Sequence, residues 1–132
     1  MLLRAFKRHQ DIPYFLFRLL IGFLFFSHGM QKLFGVFGGN QQAFFSLMGL
    51  AGIIEFLAGI AIMLGFFTRL AAFISIFEML GAYFKAHAFN ALLPIMNKGE
   101  LALLYLAAFL ILLAYGAKRW SLEKAILGRE IF

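Results

Sequence analysis

PYFLFRLLIGFLFFSHGMQKLFG, residues 13–35, is one long apolar run with a polar knot at its far end. A helix needs ~20 apolar residues to cross the ~30 Å hydrocarbon core of a bilayer, and this stretch is long enough. Yet Arg18 sits early in it, and His28, Gln31 and Lys32 crowd its end. Lipid tolerates such groups only where they turn toward protein or water. The segment therefore predicts a membrane span with neighbours packed against it.

The rest of the chain agrees. Its 132 residues suffice for one domain, taken as residues 1–132. The hydrophobic fraction is 64% and the mean hydropathy +0.91, whereas soluble domains hold about 45–50% apolar residues. Nineteen Phe would be hard to hide in a soluble core of this size. The net charge of +6 comes from Lys and Arg that flank apolar runs. That placement sets membrane orientation and argues against a nucleic-acid partner. There is no Cys, so disulfides, thiolate metal sites and a dithiol redox centre are excluded.

Four apolar segments follow the same logic, at about residues 13–34, 47–67, 69–89 and 100–116. The expected fold class is all-α: an integral membrane four-helix bundle. Gly35, Gly38, Gly39 and Asn40 break the chain after the first span, and Pro94, Asn97 and Gly99 before the fourth. Only a short turn around Gly65–Arg69 separates the second and third, which predicts an antiparallel hairpin. Arg4, Lys7 and Arg8 resemble the n-region of a signal peptide, but the apolar run is too long and no A-x-A site follows. The first span is thus expected to be retained.

Arg4, Lys7, Arg8, Arg69, Lys118, Arg119, Lys124 and Arg129 collect on one side, with only Lys32, Lys85 and Lys98 on the other. The positive-inside bias puts both termini in the cytoplasm, as expected of a multi-pass protein of the plasma (inner) membrane. The tail WSLEKAILGREIF, residues 120–132, is expected to lie on that inner surface as a short amphipathic helix.

Helical periodicity places Arg18, Gly22, Gly29 and Lys32 in one stripe of the first span, with His28 at its edge. The second span aligns Gly52, Glu55 and Gly59; the third Ala71, Ser75, Glu78, Ala82 and Lys85; the fourth Glu100, Ala107 and Ala114. Small residues mark close approach of membrane helices, so these faces should meet, with Gly22, Gly29, Gly52 and Gly59 as packing positions. Arg18, His28, Lys32, Glu55, Glu78 and Glu100 would then form an internal polar column. Counting depths along the helices pairs Arg18 with Glu78 or Glu55, His28 with Glu55, and Lys32 with Glu100.

These residues resemble the DoxX family of small four-helix membrane proteins. Arg18, Gly22, Gly29 and Lys32 are similar to the pattern of its first span. GIIEFLAGIAIMLGFFTRLAA, residues 52–72, is similar to its second signature, with Glu55, Gly59, Gly65, Thr68 and Arg69 in place. EMLGAYFKAH (78–87) and the stretch from Pro94 to Tyr105 are similar to one branch of it. The closing GAKRWSLEKAI resembles the family's G-x-G-x-W-S-L-D ending, from which Ala117–Arg119 and Glu123 depart. Some relatives are small subunits of a thiosulfate:quinone oxidoreductase, and others accompany membrane redox complexes that handle oxidative stress. The resemblance therefore implies a subunit or accessory of a quinone-linked redox system.

In that reading Glu55 and His28 contact a quinone head group or move its protons, and Arg18 holds the carboxylate. No cofactor is intrinsic to the chain; quinone is the candidate ligand. Besides the lipid bilayer, a redox protein or a second copy of the chain is the expected partner. The same column would equally suit a small-solute or proton transporter, or a scaffold whose polar residues only fix helix register. Glu100 also suits the N-terminus of the fourth helix, where the helix dipole favours an acid. His28 and His87 lack the further signature of a haem or metal site, and none is expected. No phosphate loop or nucleophile elbow is present.

Overall fold

The computed structural model describes residues 9–132, and the regular structure among them is entirely helical. Arg4, Lys7 and Arg8, three of the cations that set the expected orientation, lie outside the described residues. The helices are α1 (Asp11–Phe34), α2 (Leu47–Leu64), α3 (Thr68–Ala86), α4 (Pro94–Asn97), α5 (Glu100–Tyr115) and α6 (Leu122–Leu127).

Local chemistry fixes the boundaries. Pro13 falls in the first turn of α1, where a missing N–H leaves no hydrogen bond unmade. Gly35 ends that helix in the left-handed region (φ 66°) and donates its N–H to the Gln31 carbonyl. Ser46 caps α2 by accepting from the Gly49 N–H at 3.0 Å. Gly65, again left-handed at φ 68°, stops α2 at Leu64 although the apolar run continues to Phe67. α3 likewise stops at Ala86, before the end of its apolar run, because 87–93 turns back toward α4. There His87 Nδ1 lies 2.9 Å from the Asn97 carbonyl. α4 itself is an addition to the expected break before the fourth apolar segment.

α1 and α2 are long and apolar enough to cross a membrane. α3 has the length but carries Arg69, Glu78 and Lys85; α5 is apolar and shorter, at 16 residues. α1 packs along α2, α3 along α5, and α2 against α3, while the backbones of α1 and α5 stand farther apart and meet through aromatic side chains. Phe25, Ile62, Ala72, Phe109 and Leu112 are fully buried between them. Phe25 sets its ring edge against Phe109 at 4.7 Å, and Tyr105 stacks on Phe109 at 5.7 Å. Large apolar side chains also cover the outside, among them Leu20, Phe23, Leu57, Phe77 and Leu104. Such continuous apolar surface marks contact with lipid or with another protein.

The tail is more deeply engaged than a surface helix. Ser121 caps α6, and the next residue but one, Glu123, is fully buried. Its Oε1 accepts from the N–H groups of Ile131 (3.0 Å) and Phe132 (3.3 Å). The Glu123 N–H donates to the Gly65 carbonyl at 3.2 Å, and the Arg69 N–H to the Phe132 carbonyl at 3.0 Å. The segment thus closes over the α2–α3 turn.

Candidate functional site: two buried polar centres

One centre, toward the C-terminal end of α1 and called outer for the orientation expected from the sequence, starts from the α1–α2 interface. Gly22 faces Met63 N and Gly59 O, where a Cβ would stand only 2.7 and 2.8 Å away. A Cβ on Gly59 would reach Phe26 N at 2.5 Å, one on Gly29 would strike the Phe56 backbone, and one on Gly52 would meet Lys32 Cβ at 2.9 Å. The four glycines let the two backbones approach closely, leaving no room for a Cβ. That contact carries Lys32 over Glu55, and Lys32 Nζ donates to Glu55 Oε1 at 2.5 Å.

Glu78 arrives from α3, close enough to feel the charges of both Glu55 and Lys32. Its two carboxyl oxygens are buried and, like Glu55 Oε2 and Ser75 Oγ, find no hydrogen-bond partner among the described residues. Tyr105 of α5 lies within electrostatic reach of Glu55, and the edge of the His28 ring meets it at 5.9 Å. Four helices thereby contribute to one partly satisfied centre. Acceptor oxygens in such a place bind a donor strongly when one is offered, because the low local dielectric strengthens the hydrogen bond.

The other centre, toward the N-terminal end of α1 and called inner for the same reason, is built on Arg18, which is fully buried. Its Nη1 donates to the carbonyls of Ala117 (2.5 Å) and Arg119 (3.3 Å), and its Nη2 to that of Trp120 (2.7 Å). The Tyr14 hydroxyl donates to the Gly116 carbonyl at 2.6 Å, and Glu130 Oε1 accepts from the Ala117 N–H at 2.6 Å. After α5 ends at Gly116 its chain turns across the bundle end, and Arg18 gathers the freed carbonyls.

This geometry corrects the expected pairings. Arg18 meets neither Glu78 nor Glu55, because backbone carbonyls satisfy it at the opposite end of the bundle. Lys32 pairs with Glu55, not Glu100. Glu100 is exposed in the first turn of α5, after Gly99, and forms no ion pair among the described residues. His28 makes its contact with Tyr105, with no hydrogen bond to Glu55.

Nor is the column continuous. Phe25 lies between Arg18 and Lys32 on α1, Ile62 between Glu55 and Gly65 on α2, and Phe109 and Leu112 between Tyr105 and Gly116 on α5. On α3, Ala72 and Ile76 separate Thr68 from Glu78. A layer that is apolar but for the Ser75 hydroxyl divides the two centres.

Three participants escaped the sequence reading of the site. Tyr105 stood only as part of a motif, and Ser75 only as a small residue on a stripe. Glu123 stood only as a departure from the W-S-L-D ending. Among the described residues, no group of three or more acids and histidines is arranged to hold a metal.

The DoxX family model matches residues 14–88, which contain the glycine interface and the Lys32–Glu55–Glu78 centre, and the chain belongs to that family. It is also 40% identical to an uncharacterized protein of Haemophilus influenzae, over 84% of this chain and 90% of that one. No solved structure matches it.

Proposed function

We propose that this chain is a multi-pass protein of a bacterial-type inner membrane that serves a quinone-linked redox system as a subunit or accessory. α1, α2, α3 and α5 cross the bilayer as a four-helix bundle, with both termini on the cytoplasmic side. Arg69, Lys118, Arg119, Lys124 and Arg129 all lie at one end of the molecule, which supports that orientation. Ion-paired and unpaired carboxyls within apolar helices are costly, and membrane proteins keep them chiefly where they serve a purpose.

The observation that carries the proposal is the outer centre itself. Glu55 and Glu78 offer buried acceptor oxygens without hydrogen-bond partners among the described residues, with Tyr105 in reach of Glu55 and the His28 ring edge against Tyr105. An aromatic head group with hydroxyls would find ring contacts and hydrogen-bond acceptors together there. Glu55 and His28 are the residues assigned to the head group and its protons, and Lys32 holds Glu55 in place. Arg18 has a different part from the one its sequence position suggested: it fastens the C-terminal segment.

The apolar layer weighs against the transport reading, since a solute or proton would have to pass Phe25, Ile62 and Phe109 to reach Arg18. The proposal is tested by isolating the chain with its native lipids and analysing the bound lipids and proteins by mass spectrometry. Quinone is expected with the wild type and depleted with Glu55→Gln. Preparations holding neither quinone nor a redox protein would overturn it.

A further inference from the structure

At the Arg18 end of the molecule the chain turns its carbonyls inward and its cations outward. The carbonyls of Ala117, Arg119 and Trp120 accept from Arg18, while the Arg119 and Trp120 side chains are exposed and Lys118 is half-buried. Lys118 and Trp120 are held left-handed there, at φ 56° and 54°, a conformation that strains any residue with a Cβ. The Lys118 ammonium lies over the Tyr14 and Tyr115 rings, 4.8 and 4.7 Å from their centroids, and the Arg119 guanidinium over Trp120 at 5.6 Å. Lys124 Nζ, donating to the Lys118 carbonyl at 3.1 Å, brings a third cation to the same turn.

We infer that this turn is a docking site for an anionic phospholipid of the cytoplasmic leaflet, its phosphate held by Lys118, Arg119 and Lys124. The inference rests on the membrane orientation proposed above and is independent of the quinone. The nearby acids leave the charge largely uncompensated. Asp11 meets Arg119 at 3.3 Å on an exposed surface, and Glu130 comes no closer than 4.0 Å to Lys124 while its other oxygen accepts the Ala117 N–H. Glu123 is turned onto the N–H groups of Ile131 and Phe132. Lys118 forms no ion pair among the described residues, and ring faces leave its charge unneutralised.

The surroundings select a lipid over other anions. Tyr14 stands in the first turn of α1 and Tyr115 is the last residue of α5, so the cluster lies where both helices leave the apolar region. Tyr115 and Trp120 are more than half exposed, and Leu122, Ile126 and Leu127 of α6 are exposed beside them. A dissolved anion or an acidic protein would answer the cations and leave this apolar surface bare. A phospholipid answers both, with its phosphate on the cations and its acyl chains against the rings and α6. A zwitterionic lipid carries an amine beside its phosphate, so the cations favour the anionic kind.

Trp120, the chain's one Trp, serves as a local reporter. The full chain is placed in phosphatidylcholine vesicles holding a minor share of phosphatidylglycerol, with one lipid or the other brominated on its acyl chains to quench Trp120. The wild type is expected to prefer phosphatidylglycerol by about fivefold or more, and to lose that preference in high salt. Lys118→Gly suits the left-handed backbone and removes the charge, and it should lower the preference about fivefold. Equal quenching by the two lipids in the wild type, or an undiminished preference in Lys118→Gly, would overturn the inference. Should that variant not fold, a wild-type preference indifferent to salt overturns it as well. Competition by inorganic phosphate would assign the site to a dissolved anion and overturn the lipid.

The orientation is read separately, since the chain has no Cys of its own. Arg129→Cys, at an exposed position, is expected to resist an impermeant maleimide in intact cells and to react in inverted vesicles. Labelling in intact cells would overturn the cytoplasmic leaflet, and with it the orientation, whatever the lipid preference.

Discussion

Arg18 Nη1 and the Ala117 carbonyl lie 2.5 Å apart across 99 positions of sequence, a contact that ties the first long helix to the segment after the last. A guanidinium suits this place because its rigid fork can serve several carbonyls together, which a Lys ammonium on its flexible stem does less well. The carbonyls of Ala117, Arg119 and Trp120 depend on it.

Arg18→Leu should therefore leave buried acceptors unsatisfied and cost about 3 kcal/mol or more. Arg18→Lys should recover only part of that loss. Equilibrium unfolding in detergent micelles measures both, and a wild-type midpoint for Arg18→Leu would refute the assigned role.

Gly29 and Gly81 make an internal control. A Cβ on Gly29 collides with the Phe56 backbone, whereas one on Gly81 has nothing within 4 Å. Gly29→Ala should destabilise by about 1–3 kcal/mol. Gly81→Ala should be neutral or stabilising by up to about 1 kcal/mol, as alanine is the better helix former. Thermal melting of the two single variants side by side decides the matter.

Lys32 and Glu55 should show energetic coupling. Lys32→Met strands a buried carboxylate and should cost about 2–3 kcal/mol, less than a fully buried pair because the Lys32 side chain is 22% exposed. Adding Glu55→Gln removes the stranded charge, so the double variant should be more stable than Lys32→Met alone. A double-mutant cycle giving strict additivity would deny the pair.

Glu123→Ala should free the 128–132 segment, whose Ile131 and Phe132 N–H groups it holds. The expected result is faster tryptic cleavage after Arg129 with an unchanged helical signal in circular dichroism. Limited proteolysis followed by mass spectrometry reads this directly.

The parts legible in sequence share a physical property: they depend on spacing along one helix. Gly22 and Gly29, and Gly52 and Gly59, each recur at seven residues, so their place on one face follows from periodicity alone. The Gly35 and Gly65 breaks were equally visible, since few residues favour a left-handed backbone.

Partner choice was not legible. Periodicity aims Arg18 inward without saying what it meets, and charge suggested Glu78 or Glu55. Its real acceptors are carbonyls, which every residue carries and no sequence pattern singles out. Lys32 illustrates the converse: its face was right, but the tight glycine interface brings Glu55 closer than Glu100. The division of the column came from bulky apolar residues filling the interior between the charges, a matter of packing that single-helix stripes do not reveal.

The layer formed by Phe25, Ile62, Ala72, Phe109 and Leu112 has an electrical consequence. In the proposed orientation it would form part of the low-dielectric barrier across which the membrane voltage falls. Moving an elementary charge through the whole field takes ~2.3 kcal/mol per 100 mV. Glu78 stands midway along α3, so a proton reaching it from the periplasmic side would cross about half of the field and take about half of that work. Protonation at this centre would thus register the energised state of the membrane together with the acidity outside the cell.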